Sequence, residues 1–469
     1  MKKPVIHDAV VIGAGAAGCA VAQALTLAGA DVCVVEAGAD ILAAGASKGD
    51  PGILRSGFDL PLQGRSLACV RKGRAVFAAI KDRFQLPLLA TRALVPAATP
   101  EQAASLPNLL EQALAAGATA SLVDGPAVQA LEPGLTPGAL GALLVEDEAV
   151  VDPWSTPLAL AWQASLHGAD FRFLTAVKDG QREDGVWVLH TSRGTVRGRV
   201  VVNCAGMQAD VVEALRQSGA FHQTPRKEQY LCFAKNAARL LKHIVLPFPG
   251  FGDVAVFPSI FGNVMAGPYT TTVKDRGNAE TAAKQLTRLE RLAAARLPAL
   301  AGEEVLAGYA RVRPANLSEE LLFEVDTDAG WITIAGIATL GLAGALGVAA
   351  MAAEAVAEHF KPARPVANPQ WPVVPMLAEH LHRPWQQRTP GDIVCHCERV
   401  TQAEIEATFA SPLPPGDLHG LKRRTRAGMG LCQGDGCAHV TTMLAGLAKP
   451  PLRVKPPYAS LEKTPRKKA

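Results

Sequence analysis

Near the C-terminal end of this sequence stand Cys395-His396-Cys397 and, after 34 intervening residues, Cys432-Gln433-Gly434-Asp435-Gly436-Cys437. A packed core has no need of four thiols grouped in this way. Four thiolates are the ligand set of a structural zinc ion or of an iron–sulfur cluster. Zinc pairs usually leave about two to four residues between cysteines, so the C-x-C half argues against zinc. The spacing is not that of plant-type ferredoxins either. Lys422, Arg423, Arg424 and Arg426 lie just before the second pair. Three readings of them stand side by side: a dock for an acidic partner, an offset to a cluster's negative charge, or a solvated basic loop. A one-electron carrier at one end of a chain implies a source of electrons elsewhere in it.

The N-terminal stretch offers such a source. Residues 8–36 run through Asp8-Ala-Val-Val-Ile-Gly13-Ala-Gly15-Ala-Ala-Gly18, an alanine-rich segment, and Asp31-Val-Cys-Val-Val-Glu36. The pattern predicts strand, glycine turn, helix, strand. Gly13 would permit the tight turn, Gly15 the approach of a pyrophosphate, and Gly18 close packing of helix on sheet. The helix N-terminus then offers unpaired N–H groups to phosphates, and Glu36 could accept bonds from ribose hydroxyls. This fingerprint indicates a dinucleotide without distinguishing NAD from FAD. It occurs once, whereas enzymes that take electrons from NAD(P)H through a flavin often carry two.

Other elements must bring chemistry to that cradle. The loop Ala46-Ser47-Lys48-Gly49-Asp50-Pro51-Gly52, continuing to Arg55, is rich enough in glycine to pass close to a bulky ligand, or is a plain surface loop. Residues 91–145 read as alanine-rich helices and turns without defensible chemistry, and Glu146-Asp147-Glu148 as a solvated edge. Residues 171–203 read as strands ending at Asn203-Cys204-Ala205-Gly206. A strand-rich stretch at 226–275 and a helix at about 279–297 follow. In Arg311-Val312-Arg313-Pro314 an arginine beside a proline-fixed turn is a planar donor for a carboxylate or phosphate, or a surface group paired with Glu319 or Glu320. A strand at 331–336 and a helix after Gly341 would aim a second positive helix end at the ligand. For a proton-accepting group the sequence suggests only Arg55, Tyr269 and His243, none with a visible perturbing environment.

Composition sets bounds on the whole. With 469 residues, 49% hydrophobic and 19% charged, the chain can bury a sizeable core. A net charge of +4, part of it in the tail Lys463–Lys468, is too small to argue for nucleic acid. Cys19, Cys33, Cys69, Cys204 and Cys232 are scattered among apolar residues, as reduced core thiols of a cytoplasmic chain would be. The N-terminus imitates a secretory signal, but His7 and Asp8 interrupt it and its glycines belong to the fingerprint. Trp331–Ala353 carries no charge and is long enough to span a bilayer, yet its four glycines fit a buried strand, turn and helix better.

The glycine start, the Ala46-Ser47 loop, Asn203–Gly206, Val256-Phe257-Pro258 through Gly267-Pro268, Arg311–Pro314 and Ala335-Gly336-Ile337 together resemble the D-amino-acid-oxidase-like superfamily of FAD enzymes. Within it, the resemblance is to proteins related to the large subunit of anaerobic glycerol-3-phosphate dehydrogenase and to L-2-hydroxyglutarate oxidase. The cysteine set with Lys422–Gly430 resembles the small 2Fe–2S domain of bacterioferritin-associated ferredoxin, so Cys395, Cys397, Cys432 and Cys437 are the expected ligands.

The resemblance implies an α/β fold: a Rossmann-like FAD-binding domain interleaved with an α+β substrate domain, plus a small helical 2Fe–2S domain. The FAD-binding parts would be about 1–90, 146–225 and 325–360, and the substrate part about 226–324. A proline-rich linker at 361–390, the cluster domain at 391–448 and a basic tail at 449–469 complete the chain. Gly13, Gly15, Gly18, Glu36, Ser47, Val177, Ala205, Gly206, Gly336 and Gly341 would touch FAD, and Arg313 would anchor the substrate's anionic group. Relatives commonly have Asn-Ser-Gly and then a histidine where this chain has Asp50-Pro51-Gly52 and Arg55, so a proton-accepting histidine is missing.

The expected activity is oxidation of a 2-hydroxy acid or glycerol 3-phosphate by hydride transfer to FAD. Electrons would pass through the 2Fe–2S cluster to a partner subunit or quinone-linked carrier, with peripheral membrane association through that partner. Two alternatives are an amine dehydrogenase acting on an amino acid, opine or hydroxyproline within a hetero-oligomer, and a non-catalytic electron-transfer subunit.

Overall fold

The computed structural model describes residues 4–250, 254–315, 320–337, 339–359, 364–375, 378–388, 391–444 and 446. The expected basic tail at 449–469 and parts of the proline-rich linker lie outside the described residues.

The first sheet grows around β1 (His7–Ile12), whose Val10 and Val11 are fully buried. Such an unbroken β-branched run suits a strand covered on both faces. It pairs in parallel with β2 (Val32–Val35) on one side and β3 (Gly194–Asn203) on the other. The connecting helix α1 (Ala16–Leu27) lies between β1 and β2, giving the strand–turn–helix–strand unit that the glycines predict. The C-terminal half of β3 pairs in parallel with β4 (Trp331–Ala335). The loops after β1, β3 and β4 therefore emerge at one edge, the carboxyl end of a parallel sheet where ligands bind.

After β4 comes α2 (Gly341–His359), long and apolar enough to cross a membrane by length and composition alone. Here it is a core helix packed against α1 and the helix Arg65–Ile80. Small residues make that crossing tight: a Cβ on Gly73 would fall 1.8 Å from the Ala343 carbonyl, and one on Gly347 would fall 2.0 Å from the Cys69 carbonyl.

The main body also holds a second, eight-stranded sheet. Its strands Thr224–Phe233 and Val305–Ala315 pair antiparallel, bringing Glu228 opposite Arg311. Residues 91–145, expected as helices and turns, also supply three of its strands: Ala93–Ala97, Ala120–Asp124 and Gly141–Val145. The short, largely buried apolar runs Ala93–Ala97 and Gly141–Val145 do not declare a period, and Ala120–Asp124 pairs at the edge beside them. Glu148 likewise departs from the solvated edge expected of it. It is 2% exposed and accepts bonds from the Ser56 amide and hydroxyl.

The C-terminal unit has its own small core of Cys395, Val400, Ile405, Leu421, Ala427 and Cys437. It carries the helices Gln402–Phe409, Leu418–Thr425 and Ala438–Leu444. The connector before it lies along the main body: Val366 N donates to Leu27 O, and Trp371 packs edge-on against Phe84.

Candidate functional site

The turn after β1 requires its glycines. Gly13 has φ +104°, and a Cβ there would stand 2.7 Å from the Cys204 carbonyl. A Cβ on Gly18 would stand 1.8 Å from the Gly13 carbonyl, so Gly18 serves the approach of helix to turn. Ser47 Oγ accepts from the Ala16 amide at 3.1 Å and so lies beside the α1 N-terminus. Glu36, just past β2, is pinned by the amides of Ala14 and Gly38, each at 2.7 Å.

These groups border a cavity of about 610 Å³, within the range of cofactor sites. Gly13, Gly15, Glu36 and Ser47 line it at the α1 end, with Val177 from the neighbouring strand. Ala205 and Gly206 line it beyond β3, and Gly336 and Gly341 beyond β4. Gly18 does not reach it. Glycines that leave room for a ligand, amides at a helix N-terminus and a fixed carboxylate make up a donor set that fits the two ends of FAD's adenosine diphosphate half.

At the other end the cavity meets Arg311 and Asp50. Arg311 Nε donates to Glu228 Oε2 at 2.8 Å, and its Nη1 lies 3.4 Å from Asp50 Oδ2. Arg313, two residues along the strand, donates from Nε to the other oxygen of Glu228, and the Tyr230 hydroxyl adds a third bond at 3.0 Å. Burial works against charge on Glu228, but the two guanidiniums outweigh it and hold the carboxyl below its ordinary value. Burial also opposes charge on Arg311, which Tyr230, Glu228 and Asp50 more than restore. Arg311 and Arg313 therefore face Glu228 and Asp50 as a charge-balanced quartet.

The remaining sequence candidates lie elsewhere. Arg313, held by Glu228, does not itself line the cavity, although Val312 and Pro314 beside it do. Arg55 is bound bidentately by Asp59 and reaches Thr339. Tyr269 lies under the guanidinium of Arg288. His243 is held between Glu132 and Arg92. Asp50 is a site residue that sequence reasoning misses, because its signal, a carboxylate inside a glycine-rich loop, also describes an ordinary turn.

The four cysteines converge as two pairs, Cys395 with Cys437 and Cys397 with Cys432, each in sulfur–sulfur hydrogen-bonding contact. Two plus two is the arrangement a diiron cluster needs, whereas tetrahedral zinc would place four sulfurs equivalently. The hydrogen bond from Cys437 lowers Cys395 to about 6 against the effect of burial, helped by the Gly428 and Glu398 amides. Cys395 and Cys437 are buried, while Cys397 and Cys432 face solvent.

The basic residues before the second pair turn inward. Arg424 grips Asp40 bidentately, Arg423 Nη2 donates to the Ile41 carbonyl at 3.1 Å, and Arg426 Nε donates to Glu398 at 2.9 Å. Of the three sequence readings, neither the solvated loop nor a dock for an outside partner describes these three arginines. Arg426 also stacks on Phe261, which stacks on Trp154, whose indole N–H donates to the Lys48 carbonyl. The cluster unit therefore rests on the 40–48 segment, part of which walls the cofactor cavity.

Comparison with known proteins agrees with both halves. Residues 8–355 match the family model "FAD dependent oxidoreductase", and residues 393–444 match "BFD-like [2Fe-2S] binding domain". The chain is 26% identical over 448 residues to a glycerol 3-phosphate dehydrogenase of Caloramator mitchellensis, covering 92% of each chain. It is 27% identical over 494 aligned residues to a subunit of the anaerobic glycerol-3-phosphate dehydrogenase of Escherichia coli (strain K12), covering 92% of this chain and 86% of that one. In fold it is similar to the FAD-bound L-alpha-glycerophosphate oxidase of Mycoplasma pneumoniae, with a TM-score of 0.73, 21% identity, and coverage of 79% of this chain and 100% of that one. The chain belongs to the FAD-dependent oxidoreductases, and it carries a BFD-like 2Fe–2S domain at its C-terminal end.

Proposed function

We propose that this flavoprotein is a dehydrogenase of a small anionic hydroxy compound, either glycerol 3-phosphate or a 2-hydroxy acid. The observation that carries the reading is the continuity of one cavity from the FAD cradle to Arg311. The names of the similar proteins, glycerol 3-phosphate dehydrogenases, support the substrate class. Bound FAD supplies a hydride acceptor, and the 2Fe–2S cluster a one-electron carrier.

The chain's own residues do the rest. Arg311, with Arg313 behind it, holds the anionic group by planar hydrogen bonding. Glu228 keeps both guanidiniums in register. The wall formed by Ile337, Leu342 and Ala345 keeps water from the reacting end of the cavity. Electrons leave toward a partner subunit or quinone-linked carrier, through which the protein would associate peripherally with a membrane. The similarity to proteins whose names make them one subunit of a larger dehydrogenase supports such a hetero-oligomer. The five cysteines outside the cluster set, Cys19, Cys33, Cys69, Cys204 and Cys232, form no disulfide and support a cytoplasmic setting.

A second reading, oxidation of an amine, is favoured by one feature. Asp50 and Glu228 balance Arg311 and Arg313, a charge pattern that suits a zwitterion. Anaerobic mixing of the holoenzyme with glycerol 3-phosphate, lactate, 2-hydroxyglutarate, proline and glycine separates the readings. Loss of flavin absorbance with a hydroxy compound supports the first reading, and loss with amines alone supports the second.

A further inference from the structure

Removing two electrons from an alcohol requires somewhere for the hydroxyl proton to go. The groups on the cavity wall that could take it are few. Lys48, Lys178, Arg276 and Arg311 line the cavity, but as cations they carry no lone pair. Burial pushes the Cys204 thiol up to about 12, so it stays protonated and has no thiolate to offer as an acceptor. Glu36 belongs to the far, α1 end, and each of its oxygens already receives a backbone amide. Among the described residues that line the cavity, Asp50 is the carboxylate left.

Its placement is fixed from both sides. The turn Ser47–Gly49 leads into it, and Pro51 after it confines Asp50 to extended backbone (φ −62°, ψ 131°). Gly52, at φ +82°, bends the chain where a Cβ would fall 2.5 Å from the Val151 carbonyl. Asp50 Oδ1 accepts the Gly52 amide at 2.9 Å, which leaves Oδ2 turned to the cavity. Oδ2 stands 3.4 Å from Arg311 Nη1 and 3.3 Å from where a Cβ on Gly341, the first residue of α2, would be. A carboxylate oxygen thus sits beside the anion-holding guanidinium and against a positive helix end, at 14% side-chain exposure.

We propose that Asp50 is the catalytic proton acceptor of this enzyme. This rests on the dehydrogenase reading above. The substrate's O–H proton passes to Asp50 Oδ2, and the C–H hydrogen leaves with its electron pair to bound FAD. The oxygen's freed pair closes the carbonyl double bond. The substrate loses two electrons with that hydride, which FAD held in the cavity would accept, and Asp50 returns its proton to solvent before the next turnover. Arg311 meanwhile holds the anionic group close enough for Oδ2 to reach the neighbouring hydroxyl.

The test uses the full-length holoenzyme and the variants Asp50→Asn and Asp50→Glu, with flavin content and cluster absorbance measured first. Flavin reduction is followed anaerobically with whichever compound of the panel bleaches the parent enzyme. Binding of an analogue that lacks the reacting hydroxyl, propyl phosphate or propionate, is read from the flavin spectrum. The expected result is a fall of about 100-fold or more in the limiting reduction rate for Asp50→Asn. Analogue binding should stay within about threefold, and Asp50→Glu should recover part of the rate.

An Asp50→Asn enzyme that keeps its limiting rate but binds the analogue weakly would make Asp50 a mere prop for Arg311 and overturn the proposal. If Asp50→Asn does not hold FAD, the Asp50→Glu rate decides, and a rate equal to the parent's with unchanged analogue binding would count against a positioned base. An amine-only parent response overturns the hydroxy reading, while Asp50 is judged by the same rates with the N–H proton in place of O–H. If no compound bleaches the parent, both readings fall together.

Discussion

Asp40 and Arg424 are 384 positions apart in the chain and meet as a fully buried, two-point ion pair, Oδ2 to Nη1 at 2.5 Å and Oδ1 to Nη2 at 2.8 Å. Asp40 lies between Glu36 and the cavity-lining residues 44–48, and Arg424 lies on the helix preceding the second cysteine pair. One bond pair thus ties the cofactor cradle to the cluster unit. A guanidinium and a carboxylate both removed from water are costly to separate, because the survivor is left charged and unsolvated.

Removing one partner should therefore be felt strongly. Arg424→Ala or Asp40→Ala is expected to destabilise docking of the cluster unit by about 3–5 kcal/mol. Limited proteolysis should then cut within the 361–390 connector, and cluster reduction should lag behind flavin reduction. The double replacement Asp40→Leu with Arg424→Met should be far milder than either single change, since it leaves no orphaned charge.

Glycine positions carry the next expectation. At Gly13 any Cβ collides with the Cys204 carbonyl at 2.7 Å, in a backbone conformation that side chains resist. Gly13→Ala should be purified with much less than one FAD per chain. At Gly185, which has φ +80° but open space around its Cβ position and no place on the cavity wall, alanine should cost only about 1 kcal/mol of backbone strain and keep most of the FAD. Flavin absorbance per polypeptide distinguishes the two.

The two cofactors should be separable. Cys395→Ser or Cys437→Ser removes one ligand from a buried pair, and the protein should lose its iron and cluster absorbance while retaining flavin. Flavin reduction by substrate should survive in these variants, and transfer to an external one-electron acceptor should fall. Metal analysis of the parent is expected to give two irons per chain and no stoichiometric zinc.

Asp152 provides a pH signature of the packing. It is fully buried, and burial lifts its carboxyl from 3.8 to about 6 against the amides of Trp154 and Ser155. Its Oδ2 has no hydrogen-bond partner among the described residues. The folded state therefore prefers the protonated form. The cost of the charge is absent below the ordinary value, grows through the window from about 4 to 6, and is complete above it. Asp152→Asn should raise stability by about 3 kcal/mol at pH 8 and by little at pH 4. Thermal unfolding of the holoenzyme across that range checks the sign.

Charge balance at the anion site predicts a change in preference. Glu228 neutralises two arginines, so Glu228→Gln should make the cavity more positive. Binding of glycerol 3-phosphate should tighten by about tenfold, a change of about 1.4 kcal/mol, while a zwitterionic amino acid should gain nothing. Arg311→Lys should raise KM for either hydroxy class, because a point charge cannot reproduce the planar fork.

Much of this is legible in the sequence, and the reasons for the gaps are physical. The Gly13, Gly15 and Gly18 triplet and the Cys395–Cys437 set are legible because their spacing is dictated by backbone geometry and ligand number. Arg311 and Arg313 are two residues apart on one strand, and nothing local says which meets the cavity. That depends on the partner strand's Glu228 and on Gly49, where a Cβ would lie 3.0 Å from the Arg311 Cβ. The sequence leaves Arg424 open between a partner dock, a charge offset and a solvated loop, because its partner, Asp40, is reached only after the whole chain has folded. Residues 93–97 read equally well as helix because a buried strand shows no alternation.

In the proposed function, one polypeptide joins a substrate-reducible FAD to an iron–sulfur cluster docked on the same cavity wall. It is tested most directly by anaerobic rapid mixing of the holoenzyme with glycerol 3-phosphate and with 2-hydroxy acids, recording flavin and cluster absorbance in the same trace. The prediction is flavin bleaching followed by cluster reduction within the same molecule, at a rate independent of protein concentration. Bleaching of the flavin with no subsequent change in the cluster, or a cluster rate that scales with protein concentration, would contradict it.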